Sequence, residues 1–198
     1  MHHHIIVVFV LAGMAFAATY SPERRHPPGQ QIAPRAPLQT EVGSAAPVVI
    51  DEYTLRPRAR LQLEARVLAR ERYRFDRVSG LIPIDIAFGW AEMSDTALID
   101  KLSMHQRGRF LIWNHSGPPP APYDIINGTS ANTHLIPASK AVQTTLFNAR
   151  VGDVVILEGD LVDVEKGTYL SMATSLTRDD SGPGACEIIY VRSASIRP

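Results

Sequence analysis

The chain has 198 residues, 20 basic and 20 acidic side chains, and a single cysteine. That length suits one modest domain rather than two full ones. Zero formal net charge argues against a surface tuned throughout to nucleic acid or anionic lipid, and one cysteine excludes an internal disulfide, a multi-cysteine zinc site and an iron–sulfur cluster within one copy.

Ile5 to Ala18 is an uncharged apolar run of 14 residues. At about 1.5 Å per residue it is short for a bilayer core of about 30 Å. It reads as the apolar part of a secretory signal, with Ala15-Phe16-Ala17 at the cleavage position and residues 1–17 removed; the alternative is an uncleaved inner-membrane anchor over residues 5–20. Both predict an exported, periplasmic protein that touches the membrane only through this segment. Residues 18–47 carry six prolines and no apolar periodicity, which predicts a disordered tether, and residues 48–198 then form one globular, β-rich domain.

From Leu61 to Phe75 apolar residues alternate with Glu64, Arg66, Arg70, Arg72 and Arg74, the period of a half-buried strand. Leu61, Ala65 and Leu68 are also spaced for a helix, which competes. Eight arginines lie between Arg56 and Arg77. They read either as a docking stripe for an anion, through Arg66, Arg70, Arg72 and Arg74, or as a strand face neutralised by acidic neighbours. The second fits the charge distribution, +4 up to Arg77 and −4 from Val78 onward.

Asp95 predicts the cap of a helix over Thr96–Gln106, and Phe110 to Trp113 reads as a buried strand ended by Pro118-Pro119-Pro120. A loop through Gly128 follows, and Ser139 predicts the cap of a second helix over Lys140–Ala149. Val151 to Val164 is a strand that Gly159 bends, Glu165-Lys166-Gly167 a turn, and Thr168 to Leu176 a returning strand. A polar loop over Thr177–Gly184 precedes a last strand from Cys186 to Val191. The expected fold is α+β and β-dominant: a small, curved, OB-like barrel or sheet with two short helices.

Several motifs recur as a set: Arg72-Tyr73-Arg74-Phe75-Asp76, Pro83 to Trp90 with Met93-Ser94-Asp95, His134-Leu135-Ile136-Pro137, and Thr174 to Asp180 with Gly184-Ala185-Cys186-Glu187. Over about 120 residues this set resembles a family of uncharacterised bacterial exported or membrane-anchored proteins. The resemblance implies a shared fold and an exported location, and it assigns no activity.

His134, Asn132 and Cys186 are the inventory of a cysteine hydrolase, in which a thiolate attacks and an imidazole carries the proton. Cys186 opens an apolar strand, however, where a buried inert thiol is the ordinary outcome. His115, His134 and Asp124 are chemically fit to hold zinc, although their spacing matches no ligand motif. Trp90 and Trp113 are core residues or stacking platforms. Asp85, between Ile84 and Ile86, calls for a cationic partner such as Arg72 or Arg74. Arg178 to Gly184 reads as a turn rather than a calcium loop.

The leading expectation is a non-enzymatic exported binding or scaffold module, whose partner is another envelope protein or an anionic ligand. The alternatives are a small hydrolase or metal-dependent enzyme built on His134, His115 and Cys186, and an anionic-polymer or oligonucleotide binder using Arg66 to Arg74. Nucleic acid is not favoured, and no cofactor is expected.

Overall fold

A computed structural model describes residues 23–177 and 186–197. Its centre is a strand of unusual length, β3 (Tyr53–Arg72), whose alternating pattern wins over the competing helical spacing. Around it run β4 (Ile84–Gly89), β7 (Ser130–Pro137), β8 (Val154–Lys166) and β10 (Glu187–Arg197). The pairing runs β3-β4-β7-β10-β8 and returns from β8 to β3, so five strands close on themselves. All contacts are antiparallel except β7 with β10. This is a five-stranded Greek-key barrel of the OB type. Among the described residues no helix is long and apolar enough to cross a membrane.

Closing so small a barrel requires sharp local bends. β3 is bulged at Arg58 and at Leu68, and β10 is bulged at Arg192. Gly159 sits opposite that last bulge, where an added Cβ would lie 2.4 Å from the Tyr190 carbonyl oxygen. The bend foreseen at Gly159 is therefore a close backbone approach that only glycine permits. Ala65, Val67, Ile86, Phe88, Leu135, Leu157 and Ile189 fill the interior. An α-helix, Lys140–Asn148, covers one end with Val142 and Leu146, and the Ser139 hydroxyl accepts from the Val142 N–H as the sequence predicts.

Three segments differ from expectation. Residues 23–47 are not a loose tether. Arg24 N–H donates to the Val151 carbonyl, Ala33 is fully buried and exchanges bonds with Ser94 and Ala91, and β1 (Leu38–Glu41) pairs with β3. The prolines keep this strap extended, and specific backbone contacts replace an apolar pattern in holding it down. The helix at Thr96 ends after one turn (Thr96–Ile99), because from Leu102 onward the side chains alternate; Leu102–Arg107 forms β5. Phe110–His115 is likewise not a buried core strand but β6, the partner of β5 in a projecting two-stranded arm. Gly108 and Arg109, both at positive φ, make the two-residue turn between them. A further short helix, Tyr123–Gly128, lies in the stretch read as loop.

Candidate functional site

Asp85 and His134 are each the one ionisable residue in an otherwise uncharged buried stretch, Ile84-Asp85-Ile86 and Thr133-His134-Leu135. Antiparallel register places them directly opposite one another on β4 and β7. The Asp85 side chain is fully buried, and His134 Nδ1 lies 2.9 Å from Asp85 Oδ1. This is a charge contact somewhat off the line of an ideal N–H···O bond. β10 runs parallel beside β7 with Glu187 opposite Thr133, which brings Cys186 next to Asn132 and His134. Asn132 Nδ2 donates to Cys186 Sγ at 3.4 Å, which holds the sulfur beside the His134 ring. The thiol is partly exposed.

The imidazole is therefore held between a carboxylate and a sulfur. Burial alone would lower its pKa, but Asp85 and then Cys186 beside the ring outweigh burial and raise it to about 9. At neutral pH the ring is an imidazolium.

Arg109 completes the cluster from the tip of the arm. Its Nη1 donates to Asp85 Oδ1 at 3.0 Å, its Nε and Nη2 clamp Asp76 at 2.9 and 3.0 Å, and Nη2 also donates to the Ile82 carbonyl at 3.0 Å. The guanidinium lies 4.0 Å above the Tyr73 ring. Burial first, and the Asp85 charge second, push the Tyr73 hydroxyl up to about 12. Asn132 Nδ2 also donates to the Arg109 carbonyl at 2.9 Å, while Gln106 Nε2 donates to Asn132 Oδ1 at 2.6 Å. The arm is thus tied to the barrel end by the same side chains that surround the thiol.

His134, Asn132 and Cys186 lie side by side, with Asn132 in contact with the sulfur. Asp85 belongs with them; its cationic partners are Arg109 and His134, not Arg72 or Arg74. Charged residues inside apolar runs were the available signal for Asp85 and His134. Nothing in the sequence marked Arg109, whose reach depends on a two-residue turn.

His115 stands elsewhere, bonded to Gly117 and Tyr123 on the arm, so the trio of His115, His134 and Asp124 does not form a ligand set. Among the described residues no group of three His, Cys, Asp or Glu is placed to hold a metal ion.

The arginines do not form one stripe. Arg66 is 6% exposed and spends its guanidinium on the Ser94 carbonyl and Thr96 hydroxyl; burial, opposed by the charges of Asp100, Asp95 and Glu23, lowers its pKa. Arg70 donates to the Ala149 carbonyl, and Arg72 lies over the Phe147 ring. Arg74 is exposed. Arg56, Arg58 and Arg60 pair with Glu165, Asp163 and Asp160 on β8, the acidic neutralisation that the charge distribution suggested. Trp90 is a core residue, whereas Trp113 is partly exposed on the arm. Arg178 to Gly184 lies outside the described residues.

No family model matches the chain, and no curated protein or solved structure matches it either.

Proposed function

We propose that the protein is a small cysteine-dependent hydrolase acting on an acyl substrate, with Cys186 as nucleophile, His134 as proton carrier and Asp85 as the group that orients and charges the imidazole. The observation that carries this reading is the grouping at one barrel end of Asp85 on β4, His134 on β7 with Nδ1 2.9 Å from Asp85, and Cys186 just ahead of β10, held by Asn132 beside the ring. The thiolate is the nucleophilic form of a cysteine, and an imidazolium beside it supplies the proton that a leaving group needs. The thiolate attacks the carbonyl carbon, forming a C–S bond. The leaving group departs with the proton from His134. Water then gives a proton to His134 and attacks the thioester, releasing the acid and restoring the thiolate. Asn132 keeps the sulfur in place, and Arg109 fixes the position of the Asp85 carboxyl through its Nη1 donor.

Because Cys186 is the sole cysteine, alkylation by iodoacetamide reads this site alone. His134→Ala is expected to slow alkylation at about pH 6.5 by tenfold or more, and to lower turnover of an activated ester or thioester by about 10²-fold or more. Cys186→Ser abolishes that turnover. Equal alkylation rates in wild type and His134→Ala, or turnover that survives Cys186→Ser, would overturn the reading.

We place the reaction outside the cytoplasm, a reading supported by the apolar stretch Ile5–Ala18 with its small-residue cleavage pattern. A second reading, a docking module for another envelope protein, is favoured by Phe75, which is 97% exposed beside the exposed Arg74. Phe75→Ser would then abolish capture of that partner by the intact protein while leaving Cys186 alkylation unchanged.

A further inference from the structure

The arm carries a second, separate concavity. Trp113, Asn114 and His115 of β6, with Tyr123 and Asn127 of the short helix that follows, line an open cleft of about 430 Å³. It belongs to the excursion between β4 and β7, not to the barrel, and shares no residue with the Asp85–His134–Cys186 cluster. The Trp113 and Tyr123 rings meet at 53° with centroids 5.6 Å apart, a half-open book whose inner side carries the His115 ring, 6.4 and 6.0 Å from the two.

The hydrogen bonds fix that book in place. His115 Nδ1 lies 3.0 Å from the Gly117 carbonyl, which can only accept, so Nδ1 is the donor. In the neutral ring Nε2 must then accept, and the Tyr123 hydroxyl at 3.1 Å donates to it. Tyr123 is half exposed, and as a donor to His115 its hydroxyl can still accept. The side-chain amides of Asn114 and Asn127 make no hydrogen bond to protein among the described residues, leaving paired donors and acceptors at the rim.

No lysine, arginine, aspartate or glutamate lines the cleft. A nucleotide would leave its phosphate without a cation there, and a cationic ligand would lack a carboxylate. A sugar ring fits what is present: its C–H face packs on an aromatic ring, and its hydroxyls both give and take hydrogen bonds as amides do. We propose that this cleft binds one ring of a neutral glycan, independently of the chemistry at Cys186.

The test is calorimetric titration of the full-length protein with two probes, a β-1,4-linked N-acetylglucosamine tetramer and maltotetraose, with AMP as the contrast. At least one saccharide is expected to bind with Kd of the order of 1 mM, and AMP to bind at least tenfold more weakly. Of the two tryptophans Trp90 is buried in the core, so a saccharide-induced change in fluorescence reports Trp113. Trp113→Ala weakens binding about tenfold or more. Because Trp113 also packs against the buried cluster around Leu68 and Met93, the double variant Asn114→Ala with Asn127→Ala gives a readout that spares that packing, and it is expected to lose about three- to tenfold. Cys186→Ser binds like wild type, which keeps this outcome apart from any failure of the hydrolase reading. The proposal is overturned if neither saccharide binds at about 10 mM, if AMP binds as tightly, or if both cleft variants bind as well as wild type.

Discussion

Two histidines about twenty residues apart in sequence have opposite surroundings. His134 is sealed in the barrel end between a buried carboxylate and a sulfur, and burial makes each of its contacts strong. His115 lies on the arm, where water competes for the same bonds and the ring serves to hold a tyrosine in place. The same residue type thus faces a buried carboxylate in one region and braces an exposed tyrosine in the other. What separates the two is the depth at which each backbone segment is packed.

The most direct way to break this contrast is to remove the buried carboxylate. Asp85→Ala leaves Arg109 and His134 as two cations facing each other without their counter-charge, and chemical denaturation should show a loss of about 3–5 kcal/mol. His115→Ala should cost less than about 1 kcal/mol in the same measurement, because its bonds are replaced by water. Equal losses would erase the distinction.

A pH titration sharpens it. With its folded pKa raised to about 9 from an ordinary 6.5, His134 binds its proton more tightly in the native state. Its stabilisation is therefore complete below about pH 6.5 and disappears as the pH rises through about 9, a change on the order of 3 kcal/mol. Denaturation midpoints measured at the two ends of that window should differ in wild type and converge in His134→Gln.

The smallest expected effect extends the comparison to β3. Arg66→Ala strips partners from the buried Ser94 carbonyl and Thr96 hydroxyl and should cost about 2 kcal/mol; Arg74→Ala should stay within about 0.5 kcal/mol. Thermal unfolding of the two variants separates them.

The barrel was legible in the sequence to the extent that its strands alternate. The alternation from Leu61, the glycine at 159 and the capping serine at 139 each led to the element that forms, but the strand ends at Arg72: the bulge at Leu68 breaks the period, Arg66 is buried and Phe75 is 97% exposed. The strap over residues 23–47 was not legible, because its hold rests on backbone bonds such as Arg24 to Val151, which leave no side-chain pattern. The arm was misread because Phe110-Leu111-Ile112-Trp113 is apolar enough for a core strand, yet Phe110 and Ile112 remain well exposed. At the site, residue types pointed to His134, Asn132 and Cys186, while the reason they meet is topological. A parallel contact between β7 and β10 joins segments about fifty residues apart, and no local pattern encodes it.

The ladder between β3 and β8 joins residues roughly a hundred positions apart, from Thr54 with Glu165 to Arg66 with Val154. During synthesis β3 therefore emerges long before the strand that closes the barrel against it. Until β8 and β10 have left the ribosome, the chain has no way to complete its core. The barrel therefore closes in one late step, at the slow pace of long-range pairing, and Cys186 reaches its place beside Asn132 only with that closure.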